Sequence, residues 1–447
     1  MNKSSPPSWI LVSPGHVTEQ TDPSTFEAMG LKDSLAPALG IHVVAEILRQ
    51  EGVHISLLQT DLLYAAHLLG GQDPADFSTL LAERIRRQAP VGSTVGFSTI
   101  CSSYPLTLST VEILAKLRPD LTLILGGPQA TATAVETMAA FPSVDAILGG
   151  EVELSLPEFL AAGSVSPGEI PGLCWRDDSG DVHLNPAAPP VELEDFVSPA
   201  LDLWDGPRLE PIPIEAGRGC PFRCRFCSTS GFFQRRFRLK SPKQLVEEVT
   251  ALRKEHSFKK VEFIHDNFGA NRKQLRQFCR LWTESKATTD LQWSCSLRPS
   301  KVDSALARLL KESGCHSVFV GLETGSERLQ KVIGKDLDVA EALEAIEELS
   351  AAGVAASVSF IVGFPEETAQ DLEETLDAYS RCMELPGVSP QMQVLSPLPG
   401  SSYHAQCREH LALDSHYSSM VHQSGGLPEE NLEQIQRYPE IHSAFYA

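Results

Sequence analysis

At 447 residues the chain is long enough for two domains and a short third piece, and a 42% hydrophobic content is ordinary for a globular protein, so disorder is not the starting point. A formal net charge of −21 excludes a general nucleic-acid binder and reads chiefly as solubility, while leaving room for a local basic patch around Arg218 to Arg238. No apolar run is long enough to span a bilayer, and the ten cysteines are scattered apart from one cluster, unlike a secreted disulfide framework, so a cytoplasmic protein is expected.

The first third alternates strand and helix. "WILVSP" (9–14) is a short apolar run ending in turn residues, followed by "VHISLLQTD" (53–61), "STVGFST" (93–99), "LTLILGG" (121–127) and "VDAILGG" (144–150). Between them "HVVAEILRQEG" sets Val44, Ile47 and Leu48 on one helical face and stops at Gly52, and "LSTVEILAKLRPD" does the same with Val111, Leu114 and Leu117. Apolar strands separated by helices predict a parallel sheet covered on both faces, with ligands beyond the carboxyl ends of its strands. Those ends read "GFSTICSS", "GGPQATATA" and "GGEVELS", small residues that let a backbone approach a large ligand. Strand termination accounts for any one of them; three in one sheet point to a cofactor site.

From about 160 to 210 proline, glycine and acidic residues replace the alternation and mark a connector, with "GLCWRDDSGDVHL" as a small hairpin turning at Ser179-Gly180. Next comes "RGCPFRCRFCSTSGFFQRRFR" (218–238), three cysteines spaced C-x3-C-x2-C among arginines. The alternation then resumes with Ser241 as N-cap and Pro242 at the first helical position. Strands "KKVEFIHDN", "LQWSCSLRP", "SVFVGLETG", "ASVSFIVGFP" and "QMQVLSPLPG" are separated by amphipathic helices. With "EPIPIEAG" before the cysteines they make six strand–helix units at most, an open doubly wound sheet or a partial barrel.

Structural zinc wants four ligands, often from two knuckles. A second knuckle is missing: Cys279 lies on an apolar helix face beside Leu275, Phe278 and Trp282, and Cys101, Cys174, Cys295, Cys315, Cys382 and Cys407 are solitary. Iron–sulfur clusters also take thiolates, usually four. Three from one loop leave one iron open to bind a substrate or cofactor. Phe226, just before the third cysteine, offers a flat apolar surface to a stacked base, and the arginines either offset cluster charge or are simply solvated.

Cys220, Cys224 and Cys227, with Phe226 and the repeated βα units after them, resemble the radical S-adenosylmethionine superfamily over about Pro211 to Tyr403. The resemblance implies a partial (β/α)6 TIM-type barrel and a 4Fe–4S cluster on those three cysteines. It further implies that the fourth iron chelates the amino and carboxylate groups of S-adenosylmethionine, whose reductive cleavage yields a 5′-deoxyadenosyl radical. An external electron donor such as flavodoxin or ferredoxin is part of the same implication. The cofactor-binding positions carried over are Phe226, Asp266 in "FIHDNF", Ser296 and Arg298 in "SCSLRP", Glu323 in "GLETGSERL", and Ile361 and Gly363 in "FIVGFPEET". The family often has two acids or a glycine pair at Asp266-Asn267. Ion-pairing at the barrel rim is the alternative for Arg298 and Glu323, and strand packing with a turn for Ile361 and Gly363.

The flavodoxin-like segment from about 8 to 160 resembles the cobalamin-binding domain of cobalamin-dependent radical enzymes. It implies that Ser98, Thr99, Gly126, Gly127, Gly149 and Glu151 pack the corrin and its nucleotide tail. There is no D-x-H-x-x-G sequence; His67 is on a helix at the wrong spacing and reads as an ordinary histidine, and Gln129 stands where relatives often carry histidine. The expected class is α/β: a flavodoxin-like (Rossmann-type) parallel sheet over 1–160, a linker over 161–210, a partial barrel over 211–405, and a C-terminal segment over 406–447. That last segment holds a short helix and stops abruptly, as a truncated or docking piece would; its scattered His404, His410, His416, His422 and His442 read as surface residues. The implied function is a C-methyltransferase acting on an unactivated carbon of a small-molecule or peptide natural product. A radical cyclase, ring-contraction or other rearrangement enzyme is the alternative within the architecture, and a noncatalytic iron–sulfur or zinc scaffold the one outside it. An RNA methylthiotransferase would carry extra N-terminal cysteines and a basic tail, and neither is found.

Overall fold

The computed structural model describes residues 8–15, 35–73, 76–161, 166–206, 210–412, 429–442 and 445–446. The chain divides into two units, Met1–Arg208 with Ser396–Ala447, and Leu209–Leu395.

In the first unit β1 (Ser8–Val12), β2 (His54–Leu58), β3 (Thr94–Ser98), β4 (Thr122–Gly126) and β5 (Ala146–Leu148) run parallel in the order β2-β1-β3-β4-β5. This is the flavodoxin-like order, with its switch point between β1 and β3. Strand β1 shows why the run is apolar throughout. Trp9 and Leu11 face a core that includes Ile41, Ile47 and Leu48, while Ile10 and Val12 face one that includes Phe77, Leu81 and Leu108. Val44 is only partly buried on the first of these faces, and Leu117, the last residue of its helix, is exposed.

Strands β6 (Leu173–Arg176) and β7 (Val182–Leu184) extend the sheet antiparallel beyond β5. The hairpin expected in the connector therefore forms, but as an edge of the sheet: Leu173 and Cys174 are buried against Leu148 and Ile147. The helix Glu429–Arg437 also belongs to this unit. Tyr438 meets Phe141 at 5.3 Å, and Gln129 Nε2 donates to the Ile441 carbonyl at 2.7 Å. His404 and His442 are buried, not surface residues; His442 lies 5.8 Å from the Tyr104 ring. His410 is exposed, whereas His416 and His422 lie outside the described residues.

In the second unit β8 (Ile212–Glu215) is followed by a small antiparallel pair, β9 (Gly217–Arg218) and β10 (Arg238–Leu239). Strands β11 (Lys260–Ile264), β12 (Gln292–Leu297), β13 (Cys315–Glu323), β14 (Ala355–Val362) and β15 (Val388–Val394) then add in sequence order. With β8 they make a six-stranded, all-parallel sheet. One face is apolar (Val261, Phe263, Trp293, Val318, Val358) and is packed by helices; the other carries Glu262, Ser294, Ser296, Ser317 and Ser359. The connecting helices start where capping residues dictate. Ser241 and Gln244 form a capping box with Pro242 at the first position, and Asn271, Asp303, Ser326, Asp338 and Thr368 cap those that follow. Cys279 is buried beside Phe278 and Trp282, as its helical spacing predicts. Among the described residues no helix is long and apolar enough to cross a membrane.

Candidate active site

The cysteines begin two residues after β9. The pairing of Arg218 with Arg238 folds the end of the 218–238 segment back onto its start. Gly219 has φ +80°, and a Cβ there would overlap the Arg236 carbonyl oxygen, so only glycine lets the two strands meet. The loop is tied down from its middle. The Arg225 amide donates to the Ile333 carbonyl at 2.9 Å, and its Nη1 donates to Val332 O at 3.1 Å and Glu366 Oε1 at 2.9 Å. These contacts hold the loop to the segments that follow β13 and β14.

Cys220, Cys224 and Cys227 are all half-buried and unbridged. Burial pushes the Cys220 thiol up to about 11, and nearby Asp266, Cys224 and Cys227 add to the rise. Burial also raises the Cys224 thiol, against which Lys335 and Arg298 pull it down. Thiolates here need positive charge beside them, and the structure supplies it. The Arg298 guanidinium bonds Cys224, lies 3.9 Å over the Phe222 ring and donates to the Lys335 carbonyl. Among the described residues no three His, Cys, Asp or Glu side chains converge tightly enough for a single metal ion. A polynuclear cluster spreads its thiolates farther apart, and three neighbouring thiols with Arg298 and Lys335 beside Cys224 fit such a cluster.

Glu323 ends β13 at φ +71°, a backbone conformation that costs a non-glycine residue roughly 1–3 kcal/mol and persists only where its surroundings impose it. Its buried carboxylate takes the Lys335 ammonium at 2.5 Å and the Ser359 hydroxyl at 3.3 Å. A Cβ on Gly321 would overlap that carboxylate and lie 2.7 Å from Lys335 Nζ, so the glycine makes room for the pair. Glu323 thus pairs with Lys335, not with Arg298. Lys335, whose ammonium also stands 5.7 Å from the centroid of Phe226, escaped sequence reasoning. Its only signal is the second lysine of "KVIGKDL", twelve residues beyond the carboxylate it meets.

Asp266 is exposed and accepts from the Thr229 side chain and the Gly219 amide, which bring it to the foot of the cysteine loop. Its neighbours point inward. His265 Nδ1 accepts from the Asn267 amide at 2.8 Å, which leaves the proton on Nε2, 3.2 Å from the Arg238 carbonyl. Burial pushes the His265 pKa down to about 4, so the ring is neutral. Asn267 in turn accepts from the Arg298 amide at 3.4 Å. Ser296 is half-buried on the polar face one register step before Arg298, and Ile361 is buried near the end of β14. Gly363 has φ +81° and donates its amide to Glu367 at 2.6 Å.

At the strand ends of the first unit, Ser98, Gly126, Gly127 and Gly149 are half-buried neighbours. A Cβ on Gly127, which has φ +92°, would stand 2.6 Å from Thr99 O, whereas one on Gly150 would meet nothing within 4 Å. The result is a glycine-rich strip of strand ends where backbone is left open, the surface that a large flat ligand such as a corrin needs. Two expected contacts are turned away from it. Thr99 is fully buried, its hydroxyl bridging the Gly126 carbonyl (2.8 Å) and the Ala130 amide (2.9 Å). Glu151 is buried and accepts from the Val191 amide at 3.4 Å. His67 is buried in a helix and holds the Asp73 carbonyl at 2.6 Å, a structural role.

Residues 214–379 match the Radical SAM superfamily and residues 33–160 match the B12 binding domain, together more than half of the chain. The chain is 29% identical over 379 residues to an uncharacterized methyltransferase of Pyrococcus horikoshii, covering 82% of this chain and 77% of that one. It is 28% identical over 297 residues to the anaerobic magnesium-protoporphyrin IX monomethyl ester cyclase of Rubrivivax gelatinosus, of which it spans 53%, with 63% of this chain covered. Its fold is similar to that of the radical S-adenosylmethionine methyltransferase TsrM from Kitasatospora setae, solved with cobalamin and a [4Fe-4S] cluster bound. That comparison has a TM-score of 0.69 at 16% identity and covers 96% of this chain and 85% of the other. The chain belongs to the radical S-adenosylmethionine superfamily, in the branch that also carries a B12-binding domain. A 4Fe–4S cluster, S-adenosylmethionine and cobalamin are the cofactors of these two domains.

Proposed function

We propose that the enzyme is a cobalamin-dependent C-methyltransferase acting on an unactivated carbon of a small-molecule or peptide natural product. One observation carries the reading: a three-cysteine loop flanked by fixed cations and a glycine-rich row of strand ends occur in the same chain. When bound, the cluster with S-adenosylmethionine supplies a hydrogen-abstracting radical and cobalamin supplies a methyl group. The protein's part is to hold and orient. Cys220, Cys224 and Cys227 ligate the cluster, Arg298 and Lys335 face the carboxylate of S-adenosylmethionine, and Asp266 faces its ammonium. Phe226, Ile361 and the turn at Gly363 pack the adenine, while Ser296 and Glu323 meet hydroxyl groups. Ser98, Gly126, Gly127 and Gly149 seat the corrin. The reductant is an external one-electron carrier such as flavodoxin or ferredoxin. Ten unbridged thiols suit the reducing cytoplasm. A cyclase reading draws on the Rubrivivax relative, of which this chain spans about half.

The test is anaerobic reconstitution with iron, sulfide and hydroxocobalamin, followed by mass spectrometry of the products of S-adenosylmethionine. Formation of 5′-deoxyadenosine that disappears in Cys224→Ala, together with S-adenosylhomocysteine that appears only with cobalamin, is the expected result. Deoxyadenosine without S-adenosylhomocysteine would move the assignment to the cyclase class. Neither product from a well-formed cluster would leave a noncatalytic scaffold.

A further inference from the structure

The arginines of the 218–238 segment fall into two sets. Arg218, Arg225 and Arg238 are drawn into the fold: Arg218 pairs with Glu215 at 2.6 Å, Arg225 with Glu366, and Arg238 is buried. Arg223, Arg235 and Arg236 are exposed. Among the described residues neither Arg223 nor Arg235 makes an ion pair. Arg223 lies between the first two cysteines, and the carbonyl of Arg236 packs on Gly219, next to Cys220, so both ends of the patch border the cysteine loop. Gln234 and Arg235 are consecutive non-glycine residues in the left-handed region, at φ 50° and 60°, and the turn they make puts Arg235 at the surface. Along the segment these arginines alternate with Phe222, Phe232 and Phe237, which are half-exposed.

We infer that this surface, Arg223 and Arg235 with the half-exposed phenylalanines of the same segment, is where an acidic one-electron carrier protein docks to reduce the cluster. The inference rests on the proposed cluster at Cys220, Cys224 and Cys227. Neutralising the cluster does not call for these side chains, because Arg298 and Lys335 already face Cys224 from inside. Arginine interleaved with aromatic rings is the composition enriched at protein interfaces. The rest of the chain makes the patch necessary. A net charge of −21 repels an acidic carrier at long range, so productive encounter requires a local positive surface at the point of transfer. In the step itself the carrier is oxidised by one electron and the cluster reduced by one, with no bond made or broken. A small, transient interface below about 1,200 Å² suits such an exchange.

The experiment follows cluster reduction by stopped-flow absorbance in the reconstituted full chain. An acidic flavodoxin, an acidic ferredoxin and dithionite are each used as reductant, at low and high ionic strength. Wild type should be reduced by at least one carrier, at a rate that falls steeply with salt. Arg223→Glu with Arg235→Glu should slow that carrier roughly ten- to hundredfold at low salt, with Arg223→Gln and Arg235→Gln in between, while dithionite reduces all variants at the wild-type rate. A carrier rate that is independent of salt in wild type, or equal in wild type and the reversed variant, overturns the docking site, as does a wild type that neither carrier reduces. Those results differ from failure of the cluster reading, in which dithionite too finds no reducible chromophore in wild type.

Discussion

The two parallel sheets end in opposite ways. In the first unit β3 ends at Ser98, β4 at Gly126, and Gly149 follows β5; in the second Arg298 follows β12 and Glu323 ends β13, with Lys335 folded over them. On the proposed site assignment, the contrast follows from what each end would hold. A corrin is broad and brings its own chemistry, so it would be bound where side chains are withdrawn and the backbone can approach. A thiolate-bound cluster and a zwitterionic amino acid are small and charged, and they are held by fixed counter-charges in a site where water does not screen them.

If the two ends work independently, damage to one should spare the other, and the largest effect tests this. Cys224→Ala should lose cluster iron and its visible absorption and bring 5′-deoxyadenosine to background, while hydroxocobalamin bound per chain stays at the wild-type level. A parallel loss of cobalamin would break the comparison. Next in size is Lys335→Met, which leaves Glu323 as an uncompensated buried charge and should cost about 3–5 kcal/mol in urea unfolding of the second unit. Adding Glu323→Gln to Lys335→Met should recover most of that loss, because the carboxylate, and not the missing packing, is what the lysine satisfies.

A third test uses pH. His265 is a base whose pKa falls from 6.5 to about 4 on burial, so the unfolded chain binds the extra proton between those values. Its contribution to stability is fully present above 6.5 and is lost as pH falls toward 4. The whole shift is worth about 3 kcal/mol, about 2 of it between pH 7 and 5. His265→Asn, which keeps an acceptor for the Asn267 amide, should flatten the pH dependence of unfolding by that amount relative to wild type. A variant with unchanged pH dependence would mean that His265 is not held as a neutral buried ring in the folded chain.

How much of this was legible beforehand differs between the two ends for the same physical reason. Strands β1, β3, β4 and β5 read clearly because burial on both faces makes them largely apolar, and the edge strand β2 because it alternates. Strands β11 to β14 read clearly because burial on one face makes them alternate. The cysteine loop is a local spacing and needs no tertiary information. Hairpin β6–β7 was visible as a hairpin, but its place in the sheet depends on Leu173 and Cys174 alone, too few residues to signal burial. That the Thr99 and Glu151 side chains are buried was not legible, because a strand end gives a residue's position but not, past the last pair, the side it faces. Lys335 was missed because no periodicity tells a lysine which carboxylate it will meet.

The smallest effect sharpens the comparison most, because two glycines in the same strip should fail differently. Gly127→Ala places a methyl 2.6 Å from Thr99 O at φ +92°, so it strains the protein itself and should cost about 1–3 kcal/mol of stability in the first unit. A Cβ at Gly150 meets no protein atom within 4 Å, so Gly150→Leu starts into open space and bears chiefly the cost of φ +77°, on the order of 1 kcal/mol. If the bare backbone exists for a ligand, the better-folded of the two variants should bind it worse. Gly150→Leu should retain the fold yet lower hydroxocobalamin affinity about tenfold or more, equivalent to some 1.4 kcal/mol. Gly127→Ala should lose stability first and affinity only in proportion to the unfolded fraction. Equal affinities for wild type and Gly150→Leu, measured by absorbance titration, would mean that Gly150 serves the turn alone and that the corrin-facing strip ends at Gly149.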